Sequence, residues 1–285
     1  FKENYINQPY GNVWHILREM VYEKHPYMWP TIGKELKHIE EATLEDVTSF
    51  YQTFYQPNNA ILVIAGNVEK DNAIQLTENY FKELKGFAID NKNFIEPEQT
   101  IAKTKTVYED IPLNAVYIAF KMCDRLHADY FTADVTSDIL SNGNSSRLHQ
   151  KLVKELKAFV EMDAYITASD DIGMFIFEGK VSDGFDVHQA VDLIWIEIEK
   201  IKNEKVNEHE LVKCKNKMLT SMHFSEASLL NRAISLAYYE SLGNADLINQ
   251  EDKNYDKVTI EHVQQFAQKT FTKERSNTLF YLKKN

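Results

Sequence analysis

Residues 43–55 read TLEDVTSFYQTFY, and residues 259–271 read TIEHVQQFAQKTF. Five of the thirteen positions are identical, and Leu44/Ile260 and Tyr55/Phe271 are near matches. Thr43 suits a helix N-cap, with Asp46 three residues on in a variant of the capping box. Val47, Phe50, Tyr51 and Phe54 then fall on one face, spaced for a buried stripe. Each segment runs into an apolar strand, AILVIAG at 60–66 and NTLFYL at 277–282. Thr43 and Thr259 stand 216 positions apart. Held upstream without gaps, that offset lays the helical stripe Val13, Ile16, Leu17, Met20 and Val21 over residues 229–238, with Tyr22 on Tyr238. A duplicated unit of roughly 200 residues follows. Shifting the second copy's start back by the same offset puts the first copy's start about 110 residues ahead of Phe1. The expectation is one complete copy preceded by the last third of another.

The rest of the chain fits this plan. Residues 69–85 form an amphipathic pattern with Ile74, Tyr80, Phe81 and Leu84 inward. Periodicity lapses over 87–103. Strands are expected near 105–110, at 114–121, and in AFVEMDAYIT and GMFIFEGKV. Helices are expected over 128–140, 145–157, 186–204, 207–222 and 226–242. The class is α+β, a duplicated domain of helices packed on a mixed, largely antiparallel sheet, with the first copy truncated. The domains are 1–90, the end of the first copy; 91–103, a linker; and 104–285, the second copy.

Composition narrows the functions. The net charge of −11 over 285 residues argues against a nucleic-acid partner, which needs a basic face. The apolar run at 60–66 is far short of a membrane span, and a soluble protein is expected. Cys123 and Cys214 are too few for a disulfide framework and read as buried thiols.

The string from Asn7 to Val68 carries a resemblance. Its features are Pro9-Tyr10-Gly11, His25-Pro26-Tyr27, Thr31-Ile32-Gly33, Thr43-Leu44-Glu45-Asp46-Val47, Pro57-Asn58-Asn59 and Gly66-Asn67-Val68. With Asn142-Gly143 and Ser145-Ser146-Arg147-Leu148 further on, the chain resembles the pitrilysin/insulinase-type zinc peptidases, in particular their small bacterial, mitochondrial-processing-peptidase-like type. The resemblance implies a pitrilysin-type metalloenzyme fold. It also implies that the parent is a zinc metalloendopeptidase of the bacterial cytoplasm or periplasm, acting on peptides or unfolded polypeptides. In such enzymes one copy carries H-x-x-E-H on a helix. Both His and a distal Glu bind Zn²⁺, and the motif Glu acts as base on the zinc-bound water. The other copy is inactive and helps to enclose the substrate.

None of the nine His here belongs to H-x-x-E-H. The family's zinc motif is expected ahead of Phe1 and its distal Glu just before Phe1, with Glu3 a poor substitute. In the second copy, the stretch matching the zinc helix is Asp134–Asp138, and the ligand position falls near Asn216 between two lysines. So no catalytic or metal-binding residue is assigned in this chain. Many relatives hold the substrate with an Arg and a Tyr where Val153 and Phe159 stand here. That departure implies a partner subunit supplying the Arg/Tyr pair, and a homodimer is the other assembly expected. The alternative is a non-catalytic binding or assembly subunit.

The candidate substrate contacts are Asn142, Gly143, Asn144, Ser145 and Arg147, where relatives have a glycine-rich loop. Their alternative reading is a helix–helix turn with Ser145 as N-cap and Arg147 in an ion pair. His25 reads as a cation at a helix C-terminus, and His209 as part of a surface helix face. Helices 13–25 and 44–55 would leave apolar stripes open unless a second copy or further chain segments cover them.

Overall fold

The computed structural model describes residues 7–89 and 94–284. Glu3 lies outside the described residues. Contacts divide the chain into two units, one of Phe1–Ile32, Phe94–Asn216 and Asn254–Asn285, the other of Gly33–Asn93 and Lys217–Lys253.

The first unit is built on five strands: β1 (Lys103–Glu109), β2 (Ala115–Met122), β3 (Phe159–Ile166), β4 (Gly173–Val181) and β5 (Asn277–Lys283). Their order is β1-β5-β2-β4-β3, with β1 parallel to β5 and every other pair antiparallel. Both faces of the central strand are covered, which is why β2 reads as a continuous apolar run and not as an alternation. One face receives α1 (Val13–Val21), whose Val13, Leu17 and Val21 pack with Ala115, Tyr117, Ala119, Ile176 and Leu279. The other receives α5 (Tyr130–Ser141), α6 (Val187–Asn203) and α10 (Ile260–Thr270). There Phe120, Phe175 and Phe177 close on Phe271, with ring centroids 5.2, 4.7 and 5.3 Å from it. Tyr10 fastens the NQPYG stretch to the sheet by donating its hydroxyl to the Leu113 carbonyl at 2.7 Å.

The second unit holds α2 (Leu36–Glu40), α3 (Leu44–Phe54) and α4 (Lys70–Phe81). It also takes the C-terminal part of α7 (Glu208–Glu226), all of α8 (Leu229–Ser241) and the start of α9 (Glu251–Asp256). The division by contact therefore differs from a cut at residues 91–103. Residues 13–21 join the later strands because their stripe covers a sheet face.

The repeat is written in backbone geometry. In α3 and α10 the N-cap threonine and the third helical residue satisfy each other's amides, Thr43 with Asp46 and Thr259 with His262. Both helices end on a residue at φ −90°, ψ 67°, and both are followed by a 3₁₀ turn, Pro57–Asn59 and Lys273–Arg275. The starts of α1 and α8, at 13 and 229, keep the same offset.

Three expectations are corrected. AILVIAG forms no strand, and Ile61, Leu62 and Ile64 are exposed. Its counterpart β5 owes its ladder to β1 and β2, and no described residue plays their part for 60–66. The stripe of α3 is likewise open: Phe50 is 58% exposed, whereas its counterpart Phe266 is 5% exposed. Ile74, Tyr80, Phe81 and Leu84 also face outward. The third correction is local. Residues His149–Glu155 are π-helical, with the Leu156 amide reaching back five residues to the Lys151 carbonyl at 2.9 Å. The turn closes through Lys157 at φ +51°.

Candidate functional site

The sequence pointed to the loop after α5. Asn142, Gly143, Asn144 and Ser145 are exposed together, and Gly143 turns the chain at φ +93°. Asn142 Nδ2 donates to Asp138 Oδ1 at 2.6 Å. Ser145 does not cap a helix by the bonds observed; its Oγ accepts from Lys213 Nζ at 3.0 Å. Arg147 stands apart from the other four. It makes a two-pronged pair with Glu210, Nε–Oε1 3.0 Å and Nη2–Oε2 2.8 Å. The bonds that Arg147 donates to Glu210 hold the Arg147 pKa above its ordinary value and that of Glu210 below its own. The guanidinium is committed inside the protein.

Val153 is half-buried and Phe159 is 1% exposed. Phe159 lies on the bare backbone of Gly179, where an added Cβ would meet its ring at 2.5 Å. Neither position offers a polar group to a ligand.

A denser set of ionisable groups gathers at the end of β2, around a cavity of about 620 Å³. Its centre is Glu96, whose side chain is 1% exposed. The amides of Glu23, Lys24 and His25 all donate to the Glu96 carboxylate, at 2.8, 2.9 and 2.8 Å. Lys121 Nζ adds a fourth bond at 2.6 Å. Burial alone would raise the carboxyl pKa, but the Lys121 bond and the three amides outweigh it and hold it at about 2. His25, buried beside it, is not at a helix C-terminus, since α1 ends at Val21. It caps the 3₁₀ turn Pro26–Met28, its Nδ1 accepting from the Tyr27 amide at 3.2 Å. Its Nε2 lies 3.3 Å from Asp171 Oδ2. Cys123 also lines the cavity, but burial and the nearby Asp129 and Asp124 push its thiol up to about 12. A thiol so protonated is a poor nucleophile.

Sequence reasoning missed Glu96, because a carboxylate that collects three backbone amides leaves no motif. The only signal was its position in a stretch without periodicity. Ion pairs in the cavity wall include Glu96 with Lys121, Asp129 with Lys269, and Arg275 with Glu98. Among the described residues no three His, Cys, Asp or Glu side chains come together as metal ligands. The residues present do not fit a zinc centre. No helix among the described residues is long and apolar enough to cross a membrane.

Comparison with known proteins agrees with a peptidase-like fold. The family model described as the Peptidase M16 inactive domain matches residues 41–218. The zinc protease PqqE of Helicobacter pylori is 29% identical over 213 residues, which cover 73% of this chain and 48% of that protein. The chain spans about half the length of the curated relatives it matches. Among solved structures, a protease from Helicobacter pylori superposes with a TM-score of 0.91 at 25% identity, over 98% of this chain and 68% of the other. A peptidase M16 inactive domain from Pseudomonas fluorescens superposes with a TM-score of 0.84 at 18% identity, over 99% of this chain and 67% of the other.

Proposed function

Because this chain belongs to the Peptidase M16 inactive-domain family, we propose that it supplies the non-catalytic, substrate-enclosing part of a zinc metalloendopeptidase. The observation that carries the reading is the family match to an inactive domain in a sequence with no H-x-x-E-H. The parent would hydrolyse peptides or unfolded polypeptides with zinc held by residues preceding Phe1. It would work in the bacterial cytoplasm or periplasm. In this reading residues 104–285 belong to the inactive copy, and residues up to about 90 to the zinc-type copy.

The open face of α3 favours that division. A groove of about 780 Å³ runs along Tyr51, Phe54, Tyr55, Ile61, Leu62 and Phe81. The counterpart of α3 has its own stripe covered by α5 and α6. The front of the first copy would supply the equivalent cover. The exposed loop Asn142–Ser145 remains the candidate for touching substrate, with Arg147 its internal brace. Val153 and Phe159 offer no substitute for an Arg/Tyr pair, so a partner subunit would provide one.

The test compares two proteins, the 285-residue chain and the chain extended by its preceding coding sequence. The extended protein, with its partner present, is expected to hold one zinc and to cleave an unstructured peptide, with loss on chelation. The shorter chain is expected to do neither. Stoichiometric zinc and chelator-sensitive cleavage by the shorter chain alone would overturn the proposal. An extended protein without H-x-x-E-H would favour a binding or assembly subunit.

A further inference from the structure

The buried imidazole of His25 is held from both sides by groups that demand different things of it. Its Nδ1 accepts the Tyr27 amide at 3.2 Å, so that nitrogen carries no proton and the ring proton sits on Nε2. That proton points to Asp171 Oδ2 at 3.3 Å. A second proton could enter only at Nδ1, where it would oppose the Tyr27 N–H. Protonation therefore keeps the Asp171 contact, strengthening it with charge, and destroys the cap on the turn. The two sides cannot both be satisfied in acid.

Acidic side chains and aromatic rings surround the imidazole. Asp170 and Asp171 approach from the β3–β4 turn, and Glu96 from the 94–99 segment. Glu96 is held at about 2 and stays ionised through mildly acidic pH, although Lys121 of β2 neutralises it locally. Tyr22, just beyond α1, and Tyr27 of the turn itself pack at a tilt against the ring, with centroids 6.0 and 4.3 Å away, and both are pushed upward by burial and stay neutral. Phe94 closes the remaining side at 6.0 Å.

We propose that His25 is a pH-operated latch, neutral and closed on the turn at residues 25–29, protonated and open. The turn matters because it lines two recesses. His25 borders the cavity of about 620 Å³, and Pro26, Tyr27 and Trp29 border a neighbouring pocket of about 420 Å³. Opening the cap reshapes both. The bonds from Arg18 Nη1 to the Tyr27 and Trp29 carbonyls are long, at 3.5 Å each, and hold the turn weakly once the cap is gone.

The experiment is hydrogen exchange of the Tyr27 amide in the full chain, compared between about pH 7.5 and about pH 5, where imidazoles titrate. The Asn231 amide, capped by the uncharged Ser228 hydroxyl, is the internal reference. The Tyr27 protection factor is expected to fall on the order of tenfold or more relative to Asn231 in acid. In His25→Asn the side-chain oxygen can still accept the amide two residues on but cannot titrate, so protection is expected to persist at both pH values. Unchanged Tyr27 protection in the wild type overturns the latch, as does a parallel loss in His25→Asn. Ring nitrogen shifts of wild-type His25 give a second reading that needs no variant. If Tyr27 opens without a coincident change from the Nε2–H tautomer to the doubly protonated ring, the latch is wrong.

Discussion

At the scale of single residues, the chain's most consequential side chain is one that no pattern announces. Glu96 ties three successive amides beyond α1 to β2 through Lys121. Its carboxyl is held at about 2, below the ordinary value of about 4.3, so its contribution to stability is complete above that ordinary value. That contribution should be lost as pH falls from about 5 toward about 2. Glu96→Gln is expected to cost on the order of 3 kcal/mol at neutral pH and to flatten that acid dependence, as read by urea unfolding at a series of pH values. An unchanged slope would mean that other carboxylates set it. Local signals were legible: the Thr43 cap was visible in thirteen residues, because an N-cap and its partner are three positions apart. Glu96 and the cap formed by His25 were not, because their partners come from distant segments. For the candidate loop, the sequence already offered an ion pair as the alternative for Arg147. The geometry supplies its partner, Glu210, which no spacing could name.

At the scale of elements, β2 and β4 were readable because burial on both faces leaves a nearly unbroken apolar run, and α10 because one buried stripe leaves a helical period. The π-helix at His149–Glu155 was not, since an inserted residue changes hydrogen bonding without changing composition. Where that turn delivers the chain into β3, the packing is tight. A Cβ at Gly179 would sit 2.5 Å from the Phe159 ring and 2.9 Å from the Met162 sulfur. Gly179→Ala should therefore lower the melting temperature, at a cost of about 1–3 kcal/mol. Phe159→Leu in the same chain should recover part of it, and a double-mutant cycle measures the coupling. Equal and additive losses would show that the two residues do not press on each other.

At the scale of the whole molecule, the sequence carried the duplication but not what each copy covers. A helix stripe predicts burial and is silent about who provides the cover, so α1 and α3 looked alike and ended differently. That difference is testable. Phe54→Asp should change the stability of the 285-residue chain by no more than about 0.5 kcal/mol, since Phe54 is already 42% exposed. In the chain extended by its preceding coding sequence, the same change should cost about 3 kcal/mol or more, because a carboxylate would then be buried. Thermal melts of the two pairs decide it, and equal shifts would refute the idea that preceding residues cover α3. The sheet order has one more implication, in time instead of space. β5 is the last strand among the described residues, yet it lies between β1 and β2 and is the neighbour that β1 pairs with. During synthesis β1 waits on the ribosome without a partner until Asn277–Lys283 emerge. The unit's sheet must then close in a late step spanning nearly its whole length, the kind of long-range closure that folds slowly and leaves an edge open to misassembly meanwhile.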